Sequence, residues 1–274
     1  MDARRTPRAP RDPDLERQRI DERSLEVWVD EGSTAIRQEA TGAAQRARTA
    51  GAPTARTPSR RARGGVDPST AAEIRSASPD TQHGTRAVER LAAAAEALER
   101  DRIDEARRLV GPLTRQIPSV AAVHRIAGLV AYRGGRWRQA VIELEAAEAI
   151  APSLEHLPVL ADAYRALRRW SDVERIWTAV RAASPSHEIM AEARIVAAGA
   201  LADRGDLAGA VRTLAPAASS PKRIRDHHLR QWYVLGDLHD RSGDPIEATR
   251  WFERIAAHDP EFVDVRQRLH ALGR

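Results

Sequence analysis

Histidines and carboxylates gather in one stretch of this chain. His227 and His228 follow Asp226, and Asp237, His239 and Asp240 come shortly after. Neutral imidazoles beside carboxylates form a zinc donor set. Their spacing argues against a shared ion, because His228 and His239 would lie ~16 Å apart on a helix rising about 1.5 Å per residue. The chain has no cysteine, which removes thiolate ligands, thiol nucleophiles, Fe–S clusters and disulfides together. Gly64-Gly65 and Gly134-Gly135 lack the Lys-Ser/Thr context of a phosphate-cradling loop. No nucleophile–base constellation can be read from one sequence, since such triads are assembled in space. We expect no catalytic residues, no metal and no cofactor; the chain reads as a non-enzyme.

The elements that would carry these residues show a pattern of their own. Aligned on short breaks, the chain reads "DRIDEARRLVGPL", "GRWRQAVIELEAA", "RRWSDVERIWTAV", "GDLAGAVRTLAPA" and "GDPIEATRWFERI". A common small position holds Ala106, Ala140, Val173, Ala210 and Ala248, at intervals of 34, 33, 37 and 38. Upstream of each lies another mostly small residue: Ala94, Gly128, Ala161, Ala198 and Gly236. Downstream lies a larger one: Val110, Leu144, Trp177, Leu214 and Phe252. Pro118, Pro152, Pro185, Lys222 (with Pro221 beside it) and Pro260 close the units. Each unit reads as a helix, a tight turn and an antiparallel helix, with small residues where the backbones approach and proline ending the second helix. One such hairpin cannot bury its apolar face, whereas stacked neighbours can.

The pattern resembles the tetratricopeptide repeat (TPR), whose signature is W-x2-L-G-x2-Y, then A-x3-F, then P. The last unit carries Trp232, Leu235, Gly236, Ala248, Phe252 and Pro260, with His239 in place of the tyrosine. The third supplies Leu157, Leu160, Ala161 and Tyr164 and departs at Val173. The resemblance implies an all-α, right-handed solenoid of about five helical hairpins over residues 86–274, with a C-terminal capping helix at 261–272. More narrowly, the chain resembles tetratricopeptide proteins of high-GC bacteria that carry a basic N-terminal tail with a W-V-D-E-G-S element, here Trp28 to Ser33. That likeness implies an architecture and no activity.

In this family the first helix of each unit lines a concave groove. Carried over, the groove holds Arg125, Leu129, Tyr132, Asp162, Arg165, Tyr233, Asp237 and Asp240, basic at its centre and acidic towards its C-terminal end. Such a groove implies an extended peptide or protein partner, with Arg125 and Arg165 meeting its carboxylates. The Lys/Asn clamp of chaperone-binding members is absent, because the chain has no asparagine and one lysine, Lys222. Trp137 and Trp170, at the start of successive second helices, read as packing between repeats.

The N-terminal part differs. Residues 41–85 hold Ala, Arg, Thr, Pro, Ser and Gly with only Val66 and Ile74 as larger aliphatics, and read as a disordered linker. Within it, residues 41–65 carry six arginines and no acid. That run supports an alternative function, nucleic-acid association, expected to be weak and non-specific because no aromatic there can stack a base. Residues 1–40 contain an apolar cluster, Leu25, Val27, Trp28 and Val29, that reads as a short helical recognition element. No apolar h-region opens the chain and no 18-residue apolar run occurs. We expect a soluble, cytoplasmic protein with no membrane contact. The net charge is +5, consistent with the arginine bias. The leading expectation is a non-catalytic interaction scaffold.

Overall fold

A computed structural model describes residues 66–219 and 221–273. Among these the chain is all-helical, without strands. The helices run in chain order α1 (Pro68–Ala77), α2 (Thr81–Glu99), α3 (Ile103–Val110), α4 (Leu113–Gln116), α5 (Ala121–Arg133) and α6 (Trp137–Ile150). They continue with α7 (Leu157–Ala166), α8 (Trp170–Ala183), α9 (His187–Asp203) and α10 (Leu207–Leu214), then a 3-10 turn (Ala215–Ala218). Last come α11 (Asp226–Arg241), α12 (Pro245–Ala256) and α13 (Val265–Ala271). None of these helices is long and apolar enough to cross a membrane. The Trp28 cluster and the arginine run at 41–65 lie outside the described residues.

Contacts divide the described residues into two units, one running from 66 to 257 and one from 258 to 273. In the first, α2 packs on α3, α5 on α6, α7 on α8, α9 on α10 and α11 on α12. The first members of successive pairs also touch: α2 meets α5, α5 meets α7, α7 meets α9 and α9 meets α11. In the second unit the helix expected at 261–272 is α13, shorter at its start, with Phe262 and Val265 buried.

One turn recurs in every pair. Asp101, Gly135, Arg168, Gly205 and Gly243 all have positive φ, between +57° and +88°. They repeat at the intervals of the small positions. The residue after each donates its N–H five residues back: Arg102 to Ala97, Arg136 to Ala131, Arg169 to Tyr164, Asp206 to Leu201 and Asp244 to His239, all 2.8–2.9 Å. The left-handed residue itself donates to a carbonyl three residues back. This double bond pattern satisfies carbonyls that a helix end leaves open and reverses the chain in few residues.

Beyond the turns the small positions are buried. Ala106, Ala140, Ala210 and Ala248 are wholly buried and Val173 nearly so. A Cβ on Gly128 would come 2.6 Å from Leu144 Cγ, and one on Gly236 would come 2.8 Å from Phe252 Cε1. These glycines are therefore contact surfaces: each lets a large side chain of the second helix press on the backbone of the first. Trp177 is the exception among the large positions, because it stays half-exposed at the rim of the core.

The linker expected over 41–85 ends earlier than its composition suggests. Residues from Pro68 onward are helical. Asp67 accepts from Thr70 N–H with Pro68 at the first helical position, and Asp80 accepts from His83 N–H to start α2. Few large aliphatics are needed here. Ile74 is fully buried among Leu91, Val110 and Leu113, and α1 approaches α2 closely where Gly84 faces Arg75.

Candidate functional site

Residues expected at the centre of a groove form a ladder across α5, α7 and α9. Tyr132 at the end of α5 donates its hydroxyl to Asp162 Oδ2 on α7. One turn on, Arg165 donates Nε to Asp162 Oδ1 at 2.8 Å and Nη1 to Asp203 Oδ2 of α9 at 2.8 Å. Desolvation works against the Arg165 charge, but Asp162 and Asp203 outweigh it and hold the guanidinium above its ordinary range. The arginine expected to meet a partner's carboxylate thus already meets two from its own chain. Chemically the ladder is a tie between helices.

Sequence reasoning missed two members of it. Gly199 is the counterpart in α9 of Leu129, Asp162 and Asp237, and a Cβ there would come 3.3 Å from Arg165 Nη1. The missing side chain is what lets the guanidinium lie along α9 and reach Asp203. That gap in an otherwise filled column was visible in the sequence; Asp203 itself carried no positional signal.

Arg125, on α5, stands apart from this ladder. Its Nη2 donates to the Ala151 carbonyl at 2.8 Å, at the end of α6, where an open carbonyl and the negative helix terminus both favour a cation. Leu129 is half-buried on the same helix. Beside Arg125, His124 and Glu143 form a buried pair missed from sequence, Nδ1 to Oε2 at 2.7 Å, and Gln139 donates to the other carboxylate oxygen at 2.6 Å. A histidine–carboxylate pair can serve a general base. Here the second ring nitrogen is turned to the Pro118 carbonyl at 3.0 Å, so no ring nitrogen is presented to a reactant.

The acidic end of the expected groove lies on α11. Tyr233 is buried, edge-on to Phe252 with centroids 5.7 Å apart. Asp237 faces Arg241 at 3.6 Å, and Asp240 is half-buried. The eight residues therefore divide into a ladder (Tyr132, Asp162, Arg165), a helix-end contact (Arg125), a half-buried Leu129 and a separate α11 group. His239 lies 3.6 Å from Asp244. His227 and His228 stack with centroids 4.0 Å apart, and His228 Nδ1 accepts the Arg225 N–H at 3.0 Å, starting α11. Burial lowers the pKa of both rings. Among the described residues no three of His, Asp and Glu converge as a metal site requires.

Trp137 meets Tyr132 edge-on at 5.4 Å within one helix pair, and Trp170 packs at the rim of the same core. Tyr164, at the third unit's tyrosine position, donates to Glu145 Oε1 at 2.5 Å with Arg169 over its ring at 4.4 Å. Burial and that carboxylate push its hydroxyl up to about 12, so it stays a neutral donor. In comparisons with protein-family models and with curated proteins, the chain matches none.

Proposed function

We propose that residues 81–257 are five tetratricopeptide-like hairpins stacked as an α-solenoid, and that the stack is a non-catalytic scaffold for a protein or peptide. The observation that carries this is the fivefold turn. Asp101, Gly135, Arg168, Gly205 and Gly243 share one backbone conformation and one pair of hydrogen bonds. They stand at the same distance from the small buried residues of each unit. Repetition of this kind builds an extended, many-sided surface from local contacts. The polar groups with a catalytic look add to the case for a scaffold: Tyr132, Arg165, His124 and Glu143 are each engaged in contacts that tie helices or turns together. The lack of cysteine fits a cytoplasmic setting.

Selection of a random-peptide library on immobilised full-length protein tests the reading. A scaffold enriches a family of related peptides that soluble peptide of the same sequence displaces. Failure to enrich any family, over repeated selections with folded protein, contradicts it.

A further inference from the structure

Away from the ladder, α8, α9, α10 and the 3-10 turn line a half-open cleft of about 360 Å³. Its lining mixes the apolar Trp177, Met190 and Pro216 with Thr213 and three arginines, Arg181, Arg194 and Arg212. Trp177 and Met190 are partly buried against the core. The 3-10 turn is pinned by Trp232, whose indole N–H donates to the Ala217 carbonyl at 2.9 Å. That bond holds Pro216 in place beside the cleft.

The charge of this lining is unbalanced. Elsewhere arginines meet carboxylates: Arg169 and Arg175 share Asp172, Arg225 faces Glu188, and Arg230 faces Glu192. Among the described residues, none of Arg181, Arg194 and Arg212 has a carboxylate within 4.0 Å. Arg194 donates to the neutral Gln231 amide at 3.0 Å, and Arg181 lies over Trp177 at 5.6 Å. Burial, and then the nearby Arg181, depress the pKa of Arg194, a direction that an arriving anion would reverse.

We propose that this cleft binds a short acidic peptide segment, whose apolar side chain enters between Trp177, Met190 and Pro216 while flanking carboxylates meet Arg181, Arg194 and Arg212. The proposal rests on the scaffold reading and names its ligand class and its place. The volume suits one or two side chains and lies at the small end of the usual range for ligand pockets, about 300–1,000 Å³. A nucleic acid fits less well. Arg181 lies over the Trp177 ring, so a base stacking on that face would have to displace it. Neighbouring exposed charges on α8 and α9 are of both signs, so no basic stripe continues along which a phosphate backbone could run.

The test uses the full chain and fluorescein-labelled peptides Glu-Glu-X-Glu-Glu, with X as Leu, Met or Phe, their Gln-for-Glu twins, and an oligouridylate. Binding is read by fluorescence anisotropy. At least one acidic peptide should bind and its Gln twin should bind at least about tenfold more weakly. Arg181→Gln and Arg212→Gln should each weaken the acidic peptide about five- to tenfold, the scale of a solvent-reachable charge-assisted hydrogen bond. Arg212→Lys should recover part of the loss, and Arg108→Gln on α3 should change nothing. Circular dichroism checks that each variant folds, which truncation of arginines without a bonded carboxylate should permit. Equal binding of acidic and Gln peptides, affinity unmoved by both arginine variants, no binding by any acidic peptide, or tight binding of the oligouridylate instead would each overturn the proposal. If library selection yields peptides whose binding survives Arg181→Gln/Arg212→Gln, the scaffold reading stands and this cleft assignment falls.

Discussion

Arg165 of α7 reaches Asp203 at the end of α9, Nη1 to Oδ2 at 2.8 Å, by lying across the place where Gly199 has no side chain. The same guanidinium holds Asp162, which in turn accepts from Tyr132. Three helices are thereby tied through one arginine. Replacing it by Met leaves two carboxylates facing each other without their cation, and we expect a loss of about 2–4 kcal/mol in urea unfolding. Asp203 is more than a third exposed, so solvent screens it; Asp203→Asn should cost at most about 1 kcal/mol. Equal losses for the two variants would place the tie elsewhere.

The turns give a sharper prediction because they differ in one residue type. Gly135 sits at φ +70° with open space around its Cα, so Gly135→Ala meets backbone strain and nothing else. It should cost about 1–2 kcal/mol, the left-handed penalty of a side-chain-bearing residue. Arg168 already bears that penalty at φ +57°. Arg168→Gly should stabilise by about 0.5–1 kcal/mol once the glycine's extra unfolded-state freedom is subtracted. Melting temperatures moving in opposite directions would support the shared turn. A loss for Arg168→Gly would mean that its side chain matters more than its backbone.

Much of this repeat was legible in the sequence, because close helix packing restricts residue size. Ala106, Ala140, Ala210 and Ala248 are wholly buried, as their spacing implied, whereas Gly128 and Gly236 meet the side chains of Leu144 and Phe252 where a close approach of backbones was expected. Other features left little trace. Asp101 and Arg168 take a left-handed conformation that their side chains do not announce. The Arg165–Asp203 contact joins residues from neighbouring units and depends on a glycine between them. The start of α1 was hidden because a composition rule weighs how many large aliphatics are present, whereas Ile74 does its work by sitting in one well-enclosed place.

Packing at the last pair should respond to size in both directions. Gly236→Val drives a branched side chain into Phe252 and should cost about 1–3 kcal/mol through overpacking. Phe252→Ala opens a cavity in a fully buried site and should cost about 3–5 kcal/mol. Combining Gly236→Val with Phe252→Leu should cost less than the sum of the two single changes, because the second relieves the clash of the first. Additive losses would mean that the two residues do not share this space.

Mild acid should weaken the fold through three histidines. His156, His227 and His228 all have folded pKa values below their ordinary 6.5, burial being the main cause, with Arg125 adding to it at His156 and His228 at His227. Above pH 6.5 both folded and unfolded chains hold neutral rings, and the contribution is complete. As pH falls from 6.5 towards the depressed folded values, the unfolded chain takes up protons that the folded one resists, so stability declines. The melting temperature should fall between pH ~7.5 and ~5.5. His228→Gln keeps an acceptor for the Arg225 N–H and should reduce the slope without loss at the higher pH. An unchanged slope would remove His228 from the explanation.

The central claim is that this chain binds and does not transform. It is tested most directly by hydrogen exchange on full-length protein saturated with a library-selected peptide, with the peptide recovered and weighed afterwards. A non-catalytic scaffold predicts slowed exchange within helices of residues 66–257 and a peptide recovered unchanged in mass. No slowing anywhere at saturation, or a peptide cleaved or modified in proportion to time and protein, would contradict it.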